Sequence, residues 1–183
     1  MKRRDFLKKG SFLGLALLSL KSSMVSAKNL PERLLQLGAK PPVLPPGALG
    51  LDDFREKCTS CNLCVSKCKG NVIQPANSEY STVHMDFNKG ACLQDCTACN
   101  NVCPTGALKK LSLEQKQNLR LLTVGVKTDK CVGCKACMRA CSYKAISFDD
   151  KTYKAKINQK LCKGCGACVK ACPLKAIDSK ATV

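Results

Sequence analysis

Residues 162–177 read CKGCGACVKACPLKAI, four cysteines within eleven residues with a proline after the last. Cys162, Cys165, Cys168 and Cys172 follow the spacing C-x2-C-x2-C-x3-C-P. That run presents thiolates to an iron-sulfur cubane of the [4Fe-4S] type.

Three further runs lie upstream. Cys131, Cys134, Cys137 and Cys141 repeat the spacing, as do Cys58, Cys61, Cys64 and Cys68, while Cys92, Cys96, Cys99 and Cys103 carry one extra residue in the first gap. Together the runs use all 16 cysteines, so none is left as a nucleophile or as half of a disulfide. Thiolates two residues apart lie on a loop that wraps one face of a cubane and points backbone N–H groups at its sulfides. Gly133, Gly164 and Gly166 are expected to leave room for that approach. The fourth cysteine lies too far along to close the same cube, and in two-cluster ferredoxins it ligates the other one.

Other uses of the thiols fit less well. A structural zinc site takes two C-x2-C pairs separated by a longer gap. Cysteines two residues apart cannot bridge to each other without strain. No C-x-x-C-H occurs for haem, and His84, the single histidine, is expected on a strand surface. With 4% aromatic residues and no Trp, the 183-residue chain has little from which to build a large apolar core. Clusters would stand in for it, so folding free energy should be largely metal-binding free energy.

The first 27 residues read as an export signal. Lys2, Arg3, Arg4, Lys8 and Lys9 form a basic start, residues 11–20 (SFLGLALLSL) are apolar, and Val25-Ser26-Ala27 offers small residues for cleavage. The apolar run is about half of the roughly 20 residues that span a bilayer. Formal net charge is +18, and the loss of six basic residues and one acidic residue with residues 1–27 takes it to +13. Each cubane with four thiolates brings about two negative charges, which leaves the loaded protein very roughly at +5. Such a balance suits an acidic partner or an anionic bilayer surface. Nucleic acid is not expected, because stacking aromatics are scarce.

The expected organisation is a signal peptide over 1–27, a short helix (Leu30 to Gly38) and stiff Pro-rich linker over 28–50, a first dicluster module over 51–120 and a second over 121–183. Five residues after the fourth cysteine of each run stand Ile73, Leu108, Ile146 and Ile177, preceded by Val72, Ala107, Ala145 and Ala176. This predicts a strand leaving each cluster. A hairpin is predicted between Ile146–Phe148 and Tyr153–Ile157 with Asp149-Asp150-Lys151 at its turn. A helix opened by a Ser112/Gln115 capping box and a strand over Leu121 to Lys127 are also predicted, whereas Pro75 to Thr82 reads as loop. The fold class is therefore α+β, two small modules in tandem around four cubanes.

Two offsets favour pairing of sequential runs: Cys58 to Cys131 is 73 residues and Cys92 to Cys162 is 70, and proline follows the fourth cysteine only in the second run of each half (Pro104, Pro173). The expected quartets are Cys58, Cys61, Cys64 with Cys103; Cys92, Cys96, Cys99 with Cys68; Cys131, Cys134, Cys137 with Cys172; and Cys162, Cys165, Cys168 with Cys141. The rival arrangement pairs the first run with the fourth and the second with the third.

Residues 131–177 resemble bacterial two-[4Fe-4S] ferredoxins. The whole chain, from the twin-arginine-like Arg3-Arg4-Asp5-Phe6-Leu7-Lys8 through LPPGALGLDDFREKCTSCNLCVSKC, resembles periplasmic ferredoxin-type proteins of the NapG/MauM kind. It departs from them in Lys69 and Ser142, which replace the usual proline, and in the wider gap of the second run. The resemblance implies export in the folded state by the twin-arginine route, a periplasmic location, and peripheral or partner-mediated membrane association. It also implies a relay of electrons from a membrane quinol-oxidising protein to a periplasmic reductase. An enzyme would need an open metal position or a catalytic group beside a pocket, and sixteen ligands for four cubanes leave no iron free. An assembly factor for an exported redox enzyme is the alternative role.

Overall fold

The computed structural model describes residues 41–78 and 81–182. The expected signal peptide and the helix expected over residues 30–38 lie outside them. Six short helices and six short strands are described, and the strands form three separate two-stranded sheets. This is a mixed fold of small elements.

In the first module, α1 (Leu51–Lys57) carries Asp52 and Asp53 in its first turn and Arg55 and Lys57 in its last, which complements the helix dipole. Its inward residue, Phe54, is 1% exposed. Two single-turn helices follow the cysteine loops, α2 (Leu63–Ser66) and α3 (Ala98–Val102), and they pack on each other. Between them β1 (Ile73–Ser78) and β2 (Ser81–Met85) form an antiparallel hairpin, with Ile73 opposite Met85 and Pro75 opposite Val83. The stretch read as loop is therefore strand in part. Pro75 has no N–H to donate, but β1 has a single neighbour, so its other edge needs no ladder. The register breaks just beyond Pro75.

The capping box forms as expected. Ser112 Oγ accepts from Gln115 N and Gln115 Oε1 from Ser112 N, opening α4 (Leu113–Asn118). Next come β3 (Leu122–Val126), α5 (Ala136–Arg139), the hairpin β4 (Ile146–Phe148) with β5 (Ala155–Ile157), α6 (Ala167–Ala171) and β6 (Ile177–Ala181). The β4/β5 turn is wider than predicted. Tyr153 has φ 55°, so the return strand starts only at Ala155, and Asp149 Oδ1 holds the turn through Lys151 N and Thr152 N. β6 returns antiparallel to β3, Val126 opposite Ile177 and Leu122 opposite Ala181, and closes the second module.

Three of the four strands predicted to leave the cysteine runs are present, at Ile73, Ile146 and Ile177. Leu108 is 2% exposed but begins no strand. The place of its partner is taken by the Pro-rich segment, which was expected outside the globular body and instead packs into it. Leu44, Pro45 and Pro46 are buried. Lys109 N donates to Gly47 O and Met85 N to Val43 O, while the prolines have no N–H with which to extend a ladder.

Candidate iron-sulfur sites

The structure gathers the cysteines into four quartets around four cavities. Cys58, Cys61, Cys64 and Cys103 line one, with Phe54 and Leu108 behind them. Cys68, Cys92, Cys96 and Cys99 line the second. Cys131, Cys134, Cys137 and Cys172 line the third, and Cys141, Cys162, Cys165 and Cys168 the fourth. Their empty volumes, mouths included, are about 340, 300, 340 and 350 Å³, so four alike occupants fit. Cys141 lies with the last run and Cys68 with the second. The sulfur positions are those of sequential pairing, and the rival arrangement is not formed.

The local chain explains how one run serves two cavities. In each run the third cysteine lies in a short helix and the fourth lies four residues further on: Cys64 in α2 before Cys68, Cys99 in α3 before Cys103, Cys137 in α5 before Cys141, and Cys168 in α6 before Cys172. Four residues of helix rise about 6 Å. Each helix thus holds one thiol at one cavity and delivers the next to its neighbour.

After each fourth cysteine the chain turns in the same way. Asn71, Gly106, Lys144 and Lys175, each three residues on, have φ of 51°, 72°, 49° and 50°. The turn aims the following amides back at sulfur: Ala145 N donates to Cys141 Sγ at 3.4 Å and Ala176 N to Cys172 Sγ at 3.2 Å. Backbone N–H groups of Leu108, Thr105 and Ala107 point at Cys103, and those of Ala155 and Gly133 at Cys131; they hold these two thiols below their ordinary pKa. Such donors suit an anionic group.

Burial acts the other way at the inner thiols, and neighbouring thiolates add to it. Cys64 is pushed up to about 11, and Cys99 and Cys168 to about 12. Four thiolates crowded around one cavity require a cation among them. Among the described residues no three Cys, His, Asp or Glu side chains are arranged to hold a metal ion directly. Tetrahedral zinc, with thiolates about 2.3 Å from one centre, matches the spread quartets poorly. The donor set fits a larger iron-sulfur group that supplies its own charge.

Side chains without a sequence signal complete the sites. Thr82 Oγ1 on β2 stands 2.8 Å from Cys58 Sγ. Lys116 Nζ donates to Cys92 Sγ at 3.1 Å. Arg120 Nε and Nη2 donate to Cys162 O at 3.1 and 2.9 Å. Asn100, fully buried, donates to Pro46 O and Lys109 O, both at 2.7 Å. His84 is on β2 and half-buried, and Gly164 and Gly166 are needed for close packing. A Cβ on Gly164 would meet the backbone of Leu122 and one on Gly166 the Phe87 ring, and both have positive φ.

The Phe87 contact crosses between modules, as does the hydrogen bond from Cys92 N to Cys165 O at 2.9 Å. A wider cleft at this joint is lined by Cys92, Gln94, Tyr143 and Cys165. The second and fourth quartets therefore adjoin. Cys61 and Cys134, from the first and third quartets, are exposed.

Comparison with known proteins agrees with this arrangement. The 4Fe-4S dicluster domain matches residues 57–107 and 130–176, one copy in each half. The arsenate respiratory reductase iron-sulfur subunit ArrB of Shewanella sp. (strain ANA-3) is 32% identical over 116 residues, 57% of this chain and 46% of that one. The methylamine utilization ferredoxin-type protein MauM of Methylorubrum extorquens is 30% identical over 129 residues, 61% of this chain and 56% of that one. The hydrogenase-2 operon protein HybA of Escherichia coli O157:H7 is 28% identical, covering 81% of this chain and 50% of that one. The chain spans about half the length of these curated relatives. With both halves matched and four cysteine quartets in place, the chain belongs to the 4Fe-4S dicluster domain family and is ferredoxin-like.

Proposed function

We propose that the chain carries four [4Fe-4S] clusters, one in each quartet, and relays single electrons from a membrane quinol-oxidising partner to a periplasmic reductase. The observation that carries this reading is the grouping of all 16 cysteines into four complete quartets of similar size. Each bound cluster supplies one reversible electron at a potential set by hydrogen bonds, charge and exposure. The protein's part is to hold the thiolates, direct N–H groups at them and bring the second and fourth quartets together at the joint. With Cys61 and Cys134 open to solvent, the first and third quartets are the natural contacts for donor and acceptor. No cysteine remains for an active site of its own.

Relatives whose names place them with arsenate reductase and a hydrogenase operon support a role among redox partners. The excess of basic residues suits an acidic partner surface, with membrane association peripheral or through that partner. Periplasmic location follows from the twin-arginine signal expected at Arg3 and Arg4. Replacing both by Lys should hold the loaded precursor in the cytoplasm, and normal export of that variant would argue for another route.

The direct test is a potential titration of anaerobically purified protein, followed by electron paramagnetic resonance. Four reversible one-electron clusters, spin-coupled in pairs, are expected. Clusters that do not cycle with dithionite or quinol donors would favour the assembly-factor role instead.

A further inference from the structure

Lys116 lies on α4, the helix that joins the modules, and its side chain has no exposed surface. Its position is set by the Ser112 cap, since Lys116 N donates to Ser112 O at 2.9 Å in the first turn. The side chain then reaches the second quartet, where Nζ donates to Cys92 Sγ at 3.1 Å. Among the described residues it is the one Lys or Arg that donates to a cysteine sulfur. Lys154 and Arg120 donate instead to the backbone carbonyls of Cys131 and Cys162. The first quartet has a neutral hydroxyl, Thr82, on Cys58.

A buried cationic side chain is costly unless negative charge faces it. The Cys92 sulfur is the side-chain partner here, and a cluster bound by four thiolates is anionic and one charge more negative after reduction. A fixed positive charge against a ligand sulfur therefore favours the reduced state over the oxidised one. Burial keeps that attraction from being screened.

We propose that Lys116 is a tuning residue that raises the reduction potential at the quartet of Cys68, Cys92, Cys96 and Cys99 and at no other. This rests on the reading that the quartets hold [4Fe-4S] clusters. Because Cys92 N–H also donates to Cys165 O, the tuned quartet is the one that adjoins the second module. Lys116 thus sets the energetics of the step between modules.

The test compares the full chain with Lys116→Met, Lys116→Gln and Lys116→Arg, each assayed for iron and sulfide and then titrated by electron paramagnetic resonance. In the neutral variants one cluster should show at least a tenfold lower ratio of reduced to oxidised form at fixed potential, which is 59 mV for one electron. The other three should keep their potentials, and Arg should restore most of the shift. Unchanged potentials in a loaded neutral variant, equal shifts in all four clusters, or an Arg variant that behaves like Met would overturn the proposal. Loss of iron from both neutral variants, with the unaltered chain fully loaded, would also overturn it and assign Lys116 to holding the fold. Absence of sulfide from the unaltered chain would instead sink the underlying cluster reading, and this proposal with it.

Discussion

Asn100 shows how much of the first module rests on single polar side chains. It has no exposed surface, and its amide satisfies two carbonyls, Pro46 O and Lys109 O, on two segments that meet at this point. An unsatisfied buried carbonyl costs about 1–3 kcal/mol. Asn100→Leu should therefore destabilise the loaded protein by roughly 2–4 kcal/mol on the same basis, seen as a lower thermal midpoint and faster cluster loss from the first module. A midpoint equal to that of the unaltered chain would contradict this. Nothing in Cys99-Asn100-Asn101-Val102-Cys103 marks the first asparagine over the second, because the distinction is made by a segment more than fifty residues upstream. Lys116 was equally silent, one lysine among many until the fold set it against Cys92. The grouping of the cysteines into quartets was legible because local spacing fixes where each thiol falls.

At the scale of elements, the Pro-rich segment 41–50 does work that composition hid. Proline runs read as linkers because they cannot form ladders, yet a segment with carbonyls but few N–H groups can still accept hydrogen bonds along one side. Val43 O, Pro46 O and Gly47 O do so, and Leu44 and Pro45 fill the core beside them. In the second module β3 plays the corresponding part against β6 as a full strand. Deleting residues 41–48 should accordingly empty the first module while leaving the second loaded. Iron should fall from about sixteen to about eight atoms per chain, on a count of four irons per cluster; retention of all sixteen would show that the segment is only a tether. The Ser112 capping box and the Ile146 hairpin were readable from residues close in sequence. The β1/β2 hairpin was not, since Pro75 argues against strand until β1 is known to have a free edge.

At the scale of the whole molecule, two copies of one domain are joined so that their second-run quartets adjoin, through Cys92 N to Cys165 O and through Phe87 against Gly166. The repeat offsets predicted the pairing within each half, because neighbours in sequence usually pack together. They carried no information about the joint. That depends on Gly166 lacking a Cβ and on the route of α4, neither of which has a periodic signature. The proposed four-cluster relay requires every quartet to be filled and every fourth cysteine to serve its neighbour's cluster. Diffraction from anaerobically grown crystals, with iron anomalous signal recorded, tests this most directly. The expected map has four cubane-sized iron peaks, with Cys68 on the cluster of Cys92, Cys96 and Cys99, and Cys141 on that of Cys162, Cys165 and Cys168. Fewer than four iron sites, single-ion peaks within the quartets, or Cys68 bound to the cluster of the last run would contradict the account.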